Sequence, residues 1–266
     1  MHKAECHLAE SITLAEDFKD WIHDSVYKDL LAFESDIAHI SSLIVIILES
    51  PGALAELGLF VKNKALKNKI LVFVRQDHYE ESSFIRLGPL RYLQSVKESS
   101  VCSYPWDNDD LVGSLSTSLE EMREDILGAI SNRDGSEAFN IKNEGHIAFV
   151  IYEVVKVFRA LKLMEIETYL QAIDINLSRD KIKRLLFLLG KFNLIDSSKR
   201  GHVEYYYITL DVVMVEFAGK FEPTKVKLAA QQYYATNDGE TKRMHVIQSA
   251  YAKSVPEPVV LPAGVD

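Results

Sequence analysis

The chain has 266 residues, 47% of them apolar, and a net charge of −9; that is enough for two domains with separate cores and too apolar for a disordered chain. Its longest apolar runs, Leu43–Leu48 and Ile147–Tyr152, fall far short of the ~20 residues a membrane-spanning helix needs, so no membrane partner is expected. The N-terminus shows no basic-then-apolar leader pattern, and Cys6 and Cys102 lack metal-ligand spacing and read as free thiols of a reducing compartment, placing the chain in the cytoplasm.

Ala4–Leu8 reads as a short strand, Thr13–Leu31 has mixed helical periodicity, and Asp36–Ser42 ends a further helix. Leu43–Leu48 is a continuous β-branched run, the pattern of a parallel strand buried on both faces. Ser50-Pro51-Gly52 breaks it. Ala53–Asn63 follows with helical spacing of Leu54, Leu57 and Val61, and Lys69–Val74 is the next buried strand. Strand, turn, helix, strand is the unit of an open α/β sheet. Gln76–Ser83 reads as a polar loop, Phe84–Val96 as helical around Gly88-Pro89, Val101–Tyr104 as a strand and Leu111–Ile130 as one amphipathic helix. Asp107, Asp109 and Asp110 read as a solvated loop.

Ser131–Ser136 has linker composition. The expected division is residues 1–135 as an α/β domain, 136–143 as linker, 144–222 as a second domain and 223–266 as a C-terminal extension, partly disordered. The second domain reads as helix Ile147–Leu163, helix Glu165–Ala172, a turn with Ser178 as N-cap, helix Arg179–Phe192, a turn over Ile195–Gly201, and strand His202–Leu210, with Met214–Lys220 as a closing helix. Three helices and a β-ribbon with a basic tip is the order of an α+β winged helix-turn-helix. Charge separates the halves. Residues 1–135 carry 13 Lys and Arg against 23 Asp and Glu, a balance of −10, whereas residues 156–200 carry 10 against 5, or +5. The chain is too acidic to coat nucleic acid indiscriminately, but this local excess gives it a face for phosphates.

In open α/β sheets, ligands bind at the carboxyl ends of the strands, where Glu49, Ser50, Pro51 and Gly52 stand. Gly52 permits close backbone approach, and the following helix offers unpaired N–H groups and a positive dipole end. Glu56, four residues after Gly52, lies one turn along the same face. An anomeric carbon losing a good leaving base passes through an oxocarbenium-like state that a carboxylate stabilises or attacks. Glu56 suits that role, with Glu49 and Ser50 orienting ribose hydroxyls. The structural alternative is a helix-dipole glutamate beside an ordinary Pro-Gly turn.

The segment Ile46–Phe60, with its Glu-Ser-Pro-Gly followed by Glu-Leu-Gly and an aromatic, resembles the core motif of nucleoside deoxyribosyltransferase-like domains, in the form found in effectors of retron anti-phage systems. Ser83-Phe84-Ile85, Gly88-Pro89 and Arg91 resemble a second stretch of those effectors, and His7-Leu8-Ala9-Glu10 the strand-plus-acid segment ahead of the first helix. The resemblance implies a parallel-sheet, flavodoxin- or Rossmann-like fold followed by a winged helix. It implies catalysis by Glu56 and a substrate site with Glu10, Glu49, Ser50, Pro51 and Gly52. The implied reaction is cleavage of an N-glycosidic bond of a nucleotide, NAD foremost, giving nicotinamide and ADP-ribose, with NAD as substrate and no cofactor. The implied partners are a retron reverse transcriptase and its multicopy single-stranded DNA, which hold the effector silent. The family's first strand and Gly-rich turn fall upstream of the segment resembling His7–Glu10, so the first strand is expected to be missing here or encoded ahead of this start. An incomplete sheet edge invites a second copy.

In the second domain, Arg179, Lys181, Lys183 and Arg184 lie in the N-terminal half of the expected recognition helix, and Lys199, Arg200 and His202 at the wing tip. They suit phosphate and shape recognition better than base reading; a solvated face of a protein-docking winged helix is the alternative. Tyr205-Tyr206-Tyr207 either stacks bases or supplies the wing's core, with Tyr205 and Tyr207 on one face. No histidine or cysteine cluster has ligand spacing, so no metal is expected, and neither a Walker A sequence nor Gly-x-Gly-x-x-Gly occurs. The rival to a glycosidase is a non-catalytic nucleotide-sensing winged-helix regulator.

Overall fold

The computed structural model describes residues 12–15, 26–107, 109–131, 138–217 and 221–254. They fall into two compact units, one of residues 31–145 and one that joins the chain from 146 onward to the described residues up to 30. The N-terminal residues thus group with the second unit, where Tyr27 packs edge-on against Phe187 (6.1 Å between centroids) and below Arg184.

In the first unit, helix α1 (Leu30–Ile40) leads to strand β1 (Ile44–Ile47), helix α2 (Pro51–Val61), strand β2 (Ile70–Arg75) and the short helix α3 (Gln76–Glu80), where a loop was expected. A π-type turn over Arg86–Leu90 precedes helix α4 (Arg91–Val96). Pro89 has no N–H for a regular helix ladder, and the backbone widens around it. Strand β3 (Val101–Tyr104) follows. The expected single helix over 111–130 is two, α5 (Leu111–Leu115) and α6 (Leu119–Ser131).

The strands form a parallel sheet in the order β1-β2-β3. β2 is central and buried on both faces. Val72 and Val74 pack with Ile46, Leu57, Phe60 and Leu93, and Leu71 and Phe73 pack with Tyr104, Trp106 and Met122. β1 corrects the expectation of a strand buried on both faces. It is the edge of the described sheet, and its residues alternate, with Ile46 3% exposed against 39% for Val45 and 36% for Ile47. Ahead of β2, the buried Lys69 donates from Nζ to the carbonyls of His39 (2.8 Å) and Ser41 (2.9 Å), carbonyls that the end of α1 leaves unpaired. The backbone of Gly145 also lies against the His39 carbonyl, and a Cβ there would stand 2.1 Å from that oxygen.

In the second unit, helix α7 (Glu144–Phe158) ends where Arg159 takes a left-handed backbone (φ 69°), short of the expected Leu163. Strand β4 (Ala160–Leu161), helix α8 (Leu163–Ala172) and helix α9 (Arg179–Lys191) follow. Ser178 caps α9, accepting from the Lys181 amide at 3.2 Å. The segment 195–201, expected as a turn, is strand β5 (Ile195–Arg200), paired along its length with β6 (Val203–Ile208) across Gly201, whose φ of 66° favours glycine. The sheet is antiparallel, in the order β4-β6-β5. Residues 211–217 have no regular structure, so the closing helix expected from Met214 does not form there.

The segment expected as a partly disordered extension carries two helices, α10 (Pro223–Thr236) and α11 (Thr241–Ser254); residues 255–266 lie outside the described residues. Arg243 of α11 is 2% exposed. It donates from Nη1 to the Ala160 carbonyl (2.7 Å) and to Glu165 (3.0 Å), from Nη2 to the other Glu165 oxygen, and from Nε to Glu240 (2.7 Å). Its guanidinium also lies 4.5 Å from the centroid of the Tyr234 ring. Val246 packs beside it on Tyr205 and Tyr207. Burial pushes the Glu165 carboxyl up, but the hydrogen bonds from Arg243 and the Lys162 amide outweigh it and hold the group below its ordinary value.

Removing one partner of a buried pair strands the other, at a cost of about 3–5 kcal/mol. Arg243→Met is therefore expected to lower the unfolding free energy in urea by about 3 kcal/mol, and Arg243→Lys to recover little, because a lysine lacks the planar fork. A depressed carboxyl stabilises fully above its unfolded pKa and loses that contribution as pH falls through its folded pKa. The wild type's urea midpoint should therefore fall with acid below the ordinary glutamate range more than that of Arg243→Met.

Candidate functional site

The turn after β1 follows from four successive residues. The Leu48 amide extends the β1–β2 pairing to the Phe73 carbonyl at 2.9 Å, and the Glu49 amide turns back to Ile47. Ser50, extended at φ −138° and ψ 160°, is the N-cap of α2, and its Oγ accepts from the Ala53 amide at 3.2 Å. Pro51 occupies the first helical position, where its fixed φ suits the helix and its missing N–H costs nothing. This leaves the Gly52 amide among the donors that a helix start cannot satisfy internally. A Cβ on Gly52 would meet only Ser50 Oγ, at 3.6 Å. Among the described residues nothing requires glycine there.

Glu49, Ser50, Pro51 and Gly52 are exposed. Glu56 is half-buried on the same helix, beside the buried Leu57 and Phe60. It stands in the second turn, beyond the first turn to which the helix dipole's effect is confined; α2 has no acidic residue in its first turn. Glu10 lies outside the described residues.

The ends of the other two strands carry groups that sequence reading passed over. Arg75, Asp77, Trp106 and Asp107 line a hollow of about 520 Å³ at the carboxyl ends of β2 and β3. Arg75 donates to Asp77 at 2.6 Å, which holds the Asp77 carboxyl below its ordinary range. A second hollow of about 460 Å³ lies beside α3 and holds Arg86, Arg91 and Gln94. Neither hollow includes residues 49–52 or Glu56. The strand-end rule, applied to Arg75 and to Trp106 as it was to Glu49, would have found the first of them. Burial and the neighbouring Asp125 push the Cys102 thiol up to about 12, away from the thiolate form. Among the described residues no group of three or more His, Cys, Asp or Glu side chains could hold a metal ion, and no helix is long and apolar enough to cross a membrane.

The basic residues of the second unit divide. Lys183 and Lys199 are exposed. Arg179 pairs with Glu167 at 2.7 Å, Arg184 lies over the Tyr27 ring, and Arg200 donates to Ser249 of α11 at 3.3 Å. Lys181 is half-buried in the first turn of α9. Tyr205 and Tyr207 are 2% and 4% exposed within the core under α11, which removes them from base stacking. Tyr206, on the other face, bonds Glu204.

The sequence model of the STM3845 retron effector protein family matches residues 1–197, spanning the turn at 49–52, all of β1–β3 and helices α7–α9. The chain belongs to this family. The effector is 27% identical over 145 residues, 52% of its length, to the Escherichia coli protein named as a candidate ribosyltransferase/DNA-binding protein of retron Ec73, covering 44% of that relative. It is 32% identical over 84 residues, 32% of its length, to the corresponding Escherichia coli protein of retron Ec86, covering 27% of it. The effector thus spans less than half the length of these curated relatives.

Ser50→Ala should cost about 1 kcal/mol of unfolding free energy through the lost cap. Gly52→Ala should leave stability unchanged or raise it by up to about 1 kcal/mol, as glycine replacement in a compatible helix does. Urea titration of both variants checks the pair.

Proposed function

We propose that the effector is a retron toxin whose first unit, a nucleoside deoxyribosyltransferase-like domain, cleaves an N-glycosidic bond of a nucleotide, NAD foremost. The observation that carries this reading is the Ser50-capped start of α2 at the end of β1. It sets Glu49, the Gly52 amide and Glu56 within two helical turns of one another, in a family whose relatives are named as candidate ribosyltransferases. In the proposed reaction the bond from C1′ of the ribose to the nicotinamide nitrogen breaks, and its electron pair neutralises the pyridinium charge. The Glu56 carboxylate stabilises the resulting oxocarbenium or attacks C1′, and water completes the transfer to give ADP-ribose and a proton. Glu49 and Ser50 accept from ribose hydroxyls, and the amides at the start of α2 face negative charge.

The second unit, read as a winged helix, docks on the reverse transcriptase and its multicopy single-stranded DNA, which hold the toxin silent. Lys183 and Lys199 supply the exposed phosphate contacts. The engagement of Arg179 and Arg200 by protein partners supports docking over sequence reading by a transcription regulator.

Incubated with NAD in the absence of the retron particle, the wild-type effector should consume it and release nicotinamide, while Glu56→Gln, folded by circular dichroism, should lose at least about a hundredfold in rate. Gly52→Ala should lose activity without losing stability. Equal consumption by wild type and Glu56→Gln would remove Glu56 from the mechanism. No consumption of NAD or other nucleotides by the wild type would leave the non-catalytic sensor as the better account.

A further inference from the structure

The hollow beside α3 contains two guanidinium groups that form no ion pair among the described residues. Arg86 lies over the Tyr79 ring, with its central carbon 4.1 Å from the ring centroid. It donates through Nη1 to the Gln94 side-chain oxygen at 3.2 Å, and the Gln94 amide donates to the Tyr79 hydroxyl at 3.0 Å. This closed triangle of aromatic ring, amide and guanidinium fixes the orientation of the fork while engaging one of its five N–H donors. Arg91, exposed at the start of α4, lines the same hollow. Glu80 and Glu81 line it too, yet among the described residues neither arginine forms an ion pair with them. Glu80 instead accepts from Gln76 at 3.0 Å.

A preoriented arginine fork beside a second arginine suits a phosphate, which accepts two parallel N–H bonds from a guanidinium. The two carboxylates cancel the net charge and make the hollow a poor trap for a bare anion. They can, however, accept hydrogen bonds from a vicinal diol. Arginines and carboxylates lining one hollow match a ribose phosphate. The turn that carries Arg86 also packs against α2, the helix of Glu56.

We infer that Arg86 and Arg91 form a phosphate subsite of the first unit, with Glu80 and Glu81 facing ribose hydroxyls, so that its ligands are phosphorylated nucleotides rather than free nucleosides or inorganic phosphate. This rests on the nucleotide reading of the first unit but not on cleavage, and binding tests it separately.

Calorimetric titration of the full-length Glu56→Gln effector with AMP, adenosine and inorganic phosphate is the test. AMP should bind at least about tenfold more tightly than either of the others. Arg86→Gln and Arg91→Gln should each bring AMP to within about threefold of adenosine, without changing adenosine binding. Arg91 is exposed, so its replacement keeps the test valid if Arg86→Gln disturbs the turn. The subsite is overturned if AMP binds no better than adenosine, if AMP does not bind at all, or if Arg91→Gln leaves the AMP preference intact. Should NAD be consumed through Glu56 with a KM unmoved by either arginine change, the subsite fails and the glycosidase reading stands. Phosphate-dependent binding without turnover gives the opposite result.

Discussion

The Lys69 ammonium, buried immediately before β2, donates to the carbonyls of His39 and Ser41 at the end of α1, ahead of β1. One charged group therefore closes the end of α1 and joins the starting ends of two parallel strands. The register follows at once, with Ile44 opposite Ile70, one residue beyond the lysine. β1 has only four residues and a described partner on one side, so little else along its length determines where it stops. Fixing its beginning fixes its end, and with it the height at which Ser50 starts the next helix. The turn at 49–52 is thus held from the opposite end of the strands, about 13 Å away at the ~3.3 Å rise of each strand residue. The position of that turn at one end of the strands depends on a polar clamp at the other.

The two units solve the burial of charge in the same way. Lys69 and Arg243 both reach backbone carbonyl oxygens in short segments between helices, Ser41 after α1 and Ala160 in β4. Arg243 differs in also pairing with two carboxylates and lying over an aromatic ring, which suits the planar guanidinium and not an ammonium. α11 consequently belongs to the core of the second unit, and Arg200 on the hairpin is bound to it through Ser249.

Much of this was legible in the residues because the signals were local. The β-branched run, the Ser-Pro-Gly break and the helical spacing after it gave β1, the turn and α2 nearly to the residue, and Ser178 announced α9. What escaped was decided at a distance. Ile44–Ile47 looks the same in a central strand as at an edge, and only its pairing exposes Val45 and Ile47. Asp196–Arg200 carries polar residues that read as a turn, yet pairing with the tyrosine-rich β6 makes a strand of it. The C-terminal helices were hidden because the residue that anchors them, Arg243, looks like any surface cation until Glu165 and Ala160 are beside it. The Arg86–Gln94–Tyr79 triangle spans 15 residues of a segment without a motif of its own, and the turn imposed by Pro89 helps bring its members together.

The span of the Arg243 contacts, 78 residues to Glu165 and 83 to Ala160, also sets an order of events on the ribosome. Synthesis delivers the parallel sheet and its helices complete by residue 145, while the second unit still lacks the helix that covers Tyr205 and Tyr207. Domains fold as units from the N-terminus as they emerge. The α/β unit that bears Glu56 can therefore close before the hairpin unit acquires its last helix, and from the emergence of Tyr205 and Tyr207 until Thr241–Ser254 has followed, the nascent chain presents a folded parallel sheet and an uncovered aromatic face.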